Sequence, residues 1–480
     1  MAWTGDAMES SEASSIVSAI MLEWPLKGLL GKIAHRNPFL ARIDKVSNQA
    51  EFHGKYGKGV LQTVFNRNAG PRKELEDVML PLPDDFEEVR IGIKQAMGSF
   101  GWTQEELEDA VLGDNDAVID LIDLKTRNLP EDMRRLLNIF YAGDSTGRLA
   151  RVASYNASTR VVTIDSLPAD FTWKLAQWIE NGMTVDILTV ADITGAAAWT
   201  IKAQSVRVDQ KTQALGNPTT ATFRITAVDG DANSVIEASP ADGDFVFLRN
   251  AVTLDSSLKF VEWNCPYGML AIMDDGSSIG NEFHDGSVAG ANGCWAGGTI
   301  WNQLRTDLDQ LMCQMWRAGD WKTGGTDGTV EIASVAILQE IIRQNDELGK
   351  GGQEISALWM GGETRDWLAR AAAAEHNAFR PSESGKIIPG IYTESMRTST
   401  GRLVDIVTMS PGLPAGHIVG MAETNLTRYT KVPMGWHKEN GHVIFVPGRN
   451  LTYESWMRTR YNLFGLSWGS FYIQDIDTTA

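Results

Sequence analysis

Cysteine is scarce in this chain of 480 residues, which has only three: Cys265, Cys294 and Cys313. No two of them have C-x-x-C spacing, and no histidine stands at ligand spacing beside them. We therefore expect reduced, buried thiols and a cytoplasmic folding compartment, not a disulfide framework or a zinc site. The chain also lacks any apolar run near the roughly 18 residues that span a bilayer, and its acidic N-terminus is unlike a secretory signal. These absences predict a soluble globular protein.

Positive charge is also in short supply. The chain has 43 Lys and Arg against 61 Asp and Glu, a formal net charge of −18. Proteins that grip phosphate backbones do so through Lys and Arg that displace counterions. The charge therefore argues against nucleic-acid binding as the main task, but not against a protein that surrounds nucleic acid.

Motifs for cofactors and metals are missing as well. The chain has no G-x-x-x-x-G-K-[ST], no G-x-G-x-x-G opening a helix and no H-E-x-x-H. Gly361-Gly362 lies between a predicted strand and a predicted helix but has no lysine beside it. His437 and His442 bracket a turn without the cysteines or carboxylates that would complete a metal site. We predict no metal, no cofactor and no catalytic constellation.

One pattern does suggest catalysis, because Gly276-Ser277-Ser278-Ile279-Gly280 matches the G-x-S-x-G of hydrolase nucleophile elbows. Such an elbow needs a buried strand, a sharp turn that carries the serine, and a helix after it. The apolar run "GMLAIM" before the turn predicts the strand. A glycine-rich loop without helical periodicity follows, and His284 comes too soon after Ser278 for the usual chain order. A structural turn is therefore the preferred interpretation, with a serine hydrolase as an alternative.

The first half of the chain changes periodicity several times. Residues 51 to 83 alternate around a turn at 68–71, which predicts two long strands in a ribbon that cannot form a core alone. We expect this ribbon to lie on another subunit. Thr103 and Glu106 form a capping-box pattern. Between about 148 and 250 the period becomes two, which predicts five or six antiparallel strands in a small barrel or sandwich.

Helical spacing follows Pro130 and also recurs in the second half of the chain. Met133, Leu136, Leu137, Phe140 and Tyr141 have helical spacing, and Gly143 supplies a stop. Further patterns predict, in order, a helix over the Trp301 to Trp316 stripe, a helix around 330–346, the strand "EISALWM", the helix "ETRDWLARAAAAE", the strands "RLVDIVTMS" and "HIVGMAE", and a closing strand in "YESWMRTRYNLFGLSWGSFYIQD". Helices that alternate with apolar strands indicate an α/β unit.

This order of parts resembles the major capsid proteins of tailed bacteriophages, the family with the HK97-type fold. The local likeness is clearest in Gly268 to Gly276, an apolar run that ends in Asp-Asp-Gly. "ALWMGGETRDWLARA" is similar to the family's strand and helix in the axial domain. "VDIVTMSPGLPAGHIVGMAETNL" is similar to its paired strands around a Pro/Gly turn.

The resemblance implies an α+β, HK97-like fold. Its expected parts are an N-terminal arm (1–47), an extended loop or E-loop ribbon (48–90), a peripheral domain with a spine helix (91–147), a β-rich insertion (148–250), a connection from the peripheral to the axial domain (251–299), an α/β axial domain (300–450) and a C-terminal strand that returns to the peripheral domain (451–480). The insertion is larger than the minimal fold needs.

For assembly contacts we select a basic and aromatic set in the ribbon and an acidic set after it, since the two segments carry opposite charge. The ribbon set is Phe52, Lys55, Tyr56, Lys58, Phe65 and Arg67, and the acidic set on a neighbouring subunit is Glu105, Glu106 and Asp109. Opposite charges on neighbouring copies attract most strongly at low salt.

The function implied by the resemblance is a structural, non-catalytic shell protein. It would self-assemble into hexamers and pentamers of an icosahedral phage head that encloses double-stranded DNA, without sequence-specific binding and without a membrane. The implied partners are other copies and scaffolding, portal and decoration or cement proteins, and the implied location is the virion after assembly in the host cytoplasm. The alternative is an encapsulin-like shell of a cellular nanocompartment.

Overall fold

The computed structural model combines helices and strands. It describes residues 38–46, 50–51, 56–64, 85–103, 115–165, 178–190, 198–213, 221–228, 231, 233–273, 299–300, 303–304, 311–317, 335–348, 354–376, 395–398, 401–409, 412–413, 416–437, 444–445, 452–467, 469–474 and 476. The helices within this part are α1 (Pro38–Val46), α2 (Asn115–Ala142), α3 (Met269–Ile272), α4 (Val335–Leu348) and α5 (Gly362–His376). The α+β class predicted from the sequence is confirmed. None of these helices is both long and apolar enough to cross a bilayer.

The first strands form the predicted ribbon, but with a different second strand. They are β1 (Ala50–Glu51), β2 (Tyr56–Val64), β3 (Asp85–Gly92) and β4 (Lys94–Thr103). Strands β2 and β3 pair antiparallel from Tyr56 opposite Gly92 to Val64 opposite Asp85. The second strand therefore lies after the predicted range of 51–83. The predicted turn at 68–71 lies outside the described residues.

Helix α2 is continuous through Pro130 and does not begin after it. Proline removes one hydrogen bond from a helix interior, but the neighbouring turns are held by packing. A Cβ added to Gly98 of β4 would lie 2.8 Å from Leu129 and 2.8 Å from Met133, so the helix lies directly on this strand. The helix ends as predicted, where Gly143 N–H bonds to Ile139 O at 2.8 Å. Thr103 ends β4, and the rest of its capping box lies outside the described residues.

A closed barrel occupies most of the stretch from 148 to 250. Its strands are β5 (Arg148–Asn156), β6 (Val161–Asp165), β7 (Thr184–Thr189), β8 (Thr200–Gln213), β9 (Ala221–Thr226), β10 (Val235–Ile236) and β11 (Phe245–Leu248). Strands β8, β7, β11, β5, β6 and β9 follow one another in an antiparallel ring, which β8 closes by pairing with β9, and β10 adds to β8. The pattern of period two thus yields seven strands where five or six were predicted. Closure removes the exposed edges that an open sheet would present.

The buried Asp186 carboxylate holds two irregular backbone positions of this barrel. Asp186 accepts the N–H of Ser205 at 2.7 Å and the N–H of Asn250 at 2.8 Å. Both donors have positive φ, 51° and 58°, a conformation that asparagine tolerates and serine rarely adopts. Burial raises the pKa of Asp186, and the two N–H donors oppose that rise. The carboxylate therefore has a structural role in the barrel.

Two expectations between residues 269 and 317 are wrong. The strands here are β12 (Val252–Leu254), β13 (Phe260–Trp263), β14 (Thr299–Ile300), β15 (Gln303–Leu304) and β16 (Gln314–Arg317). "GMLAIM" forms the helical turn α3 and not a strand, because a short apolar run fixes burial but not periodicity. The Trp301 to Trp316 stripe is not a single helix, since its ends form β15 and β16. Pairing of β16 with a C-terminal strand overrides the helical pattern.

The last strands build two sheets. They are β17 (Ala357–Met360), β18 (Ser395–Arg397), β19 (Leu403–Thr408), β20 (Ile418–Met421), β21 (Leu426–Trp436), β22 (Ile444–Phe445), β23 (Thr452–Gly465) and β24 (Phe471–Gln474). Six strands form a mixed sheet in the order β16-β24-β20-β17-β19-β18. Helices α4 and α5 and strand β17 lie where the sequence predicts. Strands β19 and β20 do not pair with each other, because β17 lies between them, parallel to β19 and antiparallel to β20.

The second sheet contains β1, β21, β23 and β22, with β4 on the other edge of β23. The C-terminal part of the chain therefore contributes a strand to each sheet, because β23 belongs to this sheet and β24 belongs to the mixed sheet. Alternation along β17 separates the two faces of the mixed sheet. Leu358 and Met360 pack with α4 and α5, and Ala357 and Trp359 face the main core.

Helix α1 joins the mixed sheet to α2. The ring of Phe39 is fully buried, with its centroid 4.9 Å from Tyr141 of α2 and 5.1 Å from Trp359 of β17. One turn on, Arg42 donates from Nε to Glu423 at 2.5 Å and from Nη2 to Glu423 and Asp405, both at 2.9 Å. The Glu423 side chain is only 2% exposed. The packed Phe39 ring and the Arg42 ion pair therefore hold α1 against both α2 and the mixed sheet.

Removal of this ion pair should lower the stability of the folded subunit. We expect Arg42→Ala to lower the free energy of unfolding by about 1–3 kcal/mol, because the buried Glu423 carboxylate loses its charged partner. Glu423→Gln in the same chain should recover part of that loss, since no buried charge then remains. The measurement is denaturant unfolding of dispersed subunits.

Arg343→Ala is the matched control, because Arg343 pairs with Glu340 and Glu347 on the exposed surface of α4. This control should change stability little. Equal losses for Arg42→Ala and Arg343→Ala would contradict an anchoring role of Arg42.

Candidate functional site

The serine pattern lies outside the described residues, but the segment in front of it is well defined. Met269, Leu270 and Ile272 of α3 are fully buried. Gly268 precedes them, and a Cβ at this position would overlap the carbonyl oxygens of Phe140 and Gly143. The buried strand that a nucleophile elbow requires is therefore replaced by a helical turn packed on the end of α2. This geometry favours the structural interpretation of the motif.

His417 and the two described cysteines are buried in the fold. His417 is buried and bonded through Nδ1 to the Tyr472 hydroxyl at 2.7 Å, and burial lowers its pKa to about 3. Cys265 and Cys313 are buried thiols, as predicted. Burial raises the pKa of Cys265 to about 12, which leaves it protonated. Within the described ranges, no cluster of three or more His, Cys, Asp or Glu could hold a metal ion.

Two of the nine predicted assembly residues, Tyr56 and Lys58, are described. The other seven, Phe52, Lys55, Phe65, Arg67, Glu105, Glu106 and Asp109, lie outside the described residues. Tyr56 is 43% exposed on β2. The Lys58 ammonium lies 3.2 Å from Glu88 Oε2 on the adjacent strand, so it has an acidic partner in its own ribbon. The pairing with acids of a neighbouring copy stays a prediction.

The base of the ribbon is anchored on its own subunit. Leu61, Val89 and Ile91 are buried on one face of the ribbon. The Tyr429 hydroxyl donates to Lys58 O at 3.2 Å, and a Cβ on Gly59 would lie 3.4 Å from the ring of Phe464. The ribbon was expected to lie on another subunit, and the structure shows that this half covers part of its own β21–β23 sheet.

Beyond this anchor the ribbon projects from the body. Residues 85 to 88 of β3 are all exposed, although neighbours along a strand point to opposite faces. The face that carries Val60 and Phe86 is therefore uncovered here, whereas Leu61, opposite Glu87 on the other face, is buried. Val60 is 68% exposed and Phe86 is 56% exposed. We call Val60 together with Asp85–Glu88 the projecting segment. Sequence reasoning did not select Phe86, because the strands predicted from the residue pattern ended at 83, although the E-loop implied by the resemblance extends to 90.

A second uncovered surface lies on the face of the β4–β23 sheet that is turned away from α2. Trp456, Arg458 and Arg460 alternate along β23 with buried residues. Their partners on β4 are, in the same order, Ser99, Met97 and Gln95. We call these six residues the outer stripe. Met97 is 51% exposed at its centre. Neither the aromatic nor the cationic members were predicted, since register decides which strand face is exposed.

No protein-family model matches the sequence, and no curated protein matches it. Solved structures do resemble the chain. One is the capsid asymmetric unit of cyanophage A-1(L), with 9% identity, 92% of each chain covered and a TM-score of 0.42. Another is the capsid of a native GTA particle, with 8% identity, 91% and 90% coverage and a TM-score of 0.38. A third is the procapsid of satellite phage P4, with 10% identity, 98% coverage of each chain and a TM-score of 0.35. The structure thus resembles phage capsid proteins, the class that the sequence also resembles.

The buried turn before the serine motif provides a test of its structural interpretation. Gly268→Ala should lower the free energy of unfolding by about 1–3 kcal/mol, because the new methyl group overlaps main-chain atoms that cannot rotate away. Gly362→Ala is the control, since a Cβ there meets nothing within 4 Å. Denaturant unfolding of both variants measures the two changes in stability. If Gly268→Ala were as stable as the control, the close packing of α3 on α2 would be wrong.

Proposed function

We propose that this chain is the major capsid protein of a tailed phage. In this role it self-assembles into the hexamers and pentamers of an icosahedral head that encloses double-stranded DNA. The observation that carries the proposal is the projecting segment, which exposes the large apolar side chains of Val60 and Phe86 on one face of the ribbon. An isolated subunit gains nothing from this exposure, whereas a neighbouring copy that covers it removes apolar surface from water.

The shape of the subunit supports repeated assembly. A ribbon anchored at its base and uncovered farther out suits a contact in which one surface meets a different surface of the next copy. Contacts of this kind form closed rings when the rotation between copies closes. A body braced by α1 and α2 keeps the angle between the ribbon and the sheets constant, which a regular shell requires.

The charge of the chain supports the same function. A net charge of −18 keeps subunits soluble until specific contacts bring them together. It also repels enclosed DNA, so that the DNA remains free to move inside the shell. We propose a structural role without catalysis, a location in the virion after assembly in the host cytoplasm, and contacts with scaffolding, portal and decoration or cement proteins.

The projecting segment gives a direct test. We expect Val60→Ser with Phe86→Ser to raise the subunit concentration needed for half-maximal assembly at least about ten-fold, because a loss of about 1.4 kcal/mol per contact suffices. Assembly is measured by sedimentation, after expression with the genes that flank the native gene. Circular dichroism confirms that the variant is folded.

The matched control is Val261→Ser with Leu403→Ser, which removes two other exposed apolar side chains, one 54% and one 57% exposed. This control should assemble like the wild type. Shells of normal yield from the ribbon variant would overturn the role given to the projecting segment. Shells that enclose protein cargo and no DNA would support the nanocompartment alternative instead.

A further inference from the structure

Residues 178–182 lead into β7 and are bonded to the barrel. Lys211 of β8 holds them twice, because its ammonium donates to Ile179 O and its backbone N–H donates to Asn181 Oδ1, both at 2.7 Å. Ile179 is fully buried. We call residues 178–182 the linking segment, and these contacts make it a fixed part of the barrel.

Trp178 joins the linking segment to the mixed sheet. Its indole N–H donates to Gly412 O at 3.0 Å, and its side chain is only 3% exposed. Gly412 lies between β19 and β20 in a tight turn, where a Cβ would lie 2.5 Å from Met409 Cγ. Met409 and Leu413 are both buried beside it. This hydrogen bond is costly to break, because the carbonyl oxygen would lose its donor where water does not reach.

The linking segment also contacts helix α2. Glu180 forms an ion pair with Arg135 of the helix. Burial raises the pKa of Asp132, one turn earlier on α2, and the charge of Glu180 adds to that rise. An exposed ion pair contributes little stability by itself, but it identifies the face of α2 against which the segment lies.

Helix α1 and the linking segment contact α2 on different faces. Phe39 of α1 packs on Tyr141, whereas Glu180 pairs with Arg135, six residues earlier on the helix. Six residues of α-helix correspond to a rotation of about 240° and a rise of about 9 Å. Both α1 and the linking segment also contact the mixed sheet. A second attachment on another face of α2 therefore limits rotation of the sheet about the first.

We infer that the barrel holds the mixed sheet at a fixed angle to α2, with Trp178 as the positioning residue. The inference rests on the proposed function and gives the insertion a task in it. Copies with one internal angle close into shells of one size, whereas copies with variable angles form shells of several sizes or open assemblies.

Hydrogen–deuterium exchange of dispersed subunits tests this coupling without shells. Trp178→Phe keeps an aromatic ring but removes the indole donor. Amide exchange in β19 and β20 should become at least about three-fold faster, because a lost buried hydrogen bond eases local opening by about that factor. Trp199→Phe is the matched control, since Trp199 is equally buried in the barrel but packs on Phe260 and Trp263 of β13. It should leave exchange in β19 and β20 unchanged.

Glu180→Lys tests the same segment from its other side. This exposed substitution places a like charge beside Arg135 and should speed exchange in β19, β20 and the end of α2, most clearly at low salt. Glu237→Lys makes the same change in charge at another exposed barrel position and should have no such effect. If faster exchange were confined to the barrel in Trp178→Phe and in Glu180→Lys, the inference would be overturned.

Electron microscopy of shells, expressed with the flanking genes, tests the consequence for assembly. Trp178→Phe should give at least about three-fold more particles of abnormal diameter or open shape than the wild type, because more copies then have an abnormal angle. Trp199→Phe should give the wild-type distribution, although it also removes a buried indole. Uniform particles of normal size from Trp178→Phe would overturn the role in shell size. If the wild type formed no shells, the proposed function would fail, and the exchange experiment would still decide whether the barrel holds the sheet.

Discussion

The fold depends on the contact of helix α1 with the two layers it joins. Phe39 fills the space between Tyr141 and Trp359, and Arg42 ties the same helix to Glu423 at the end of β20. The apolar wedge supplies burial, and the ion pair fixes the orientation, because a bidentate contact tolerates little rotation. Without this contact, the inner face of the mixed sheet would lack its cover beside α2.

The two exposed surfaces depend on the same frame. Strand β23 pairs with β4 and β21, and the chain then continues directly into β24 of the mixed sheet. Ser467 secures that passage, since its hydroxyl donates to Ile272 O at 2.7 Å and lies 3.1 Å from Leu311 O. The ribbon base rests on β21 and β23, and the outer stripe lies farther along the same sheet. A shared sheet therefore fixes the ribbon base and the outer stripe relative to each other within the subunit.

The sequence predicted the elements whose patterns are long and locally complete. The barrel strands, α4 and α5 show their own period and turn residues, and the end of α2 at Gly143 follows from a stop signal. It failed where partners distant in sequence decide. Strand β16 forms because β24 lies beside it, and α3 packs into a gap left by Gly268. Sequence reasoning missed Phe86 and Arg458 for the same reason, because only the strand register shows which face of its strand each side chain occupies.

The central claim is that the subunit builds a closed shell by covering exposed ribbon with the next copy. Electron cryomicroscopy of the wild-type protein, expressed with its flanking genes, tests it most directly. The account predicts closed icosahedral particles of megadalton mass, in which a neighbouring copy covers Val60 and Phe86 of each ribbon. Monomers or small open oligomers as the sole product would contradict it.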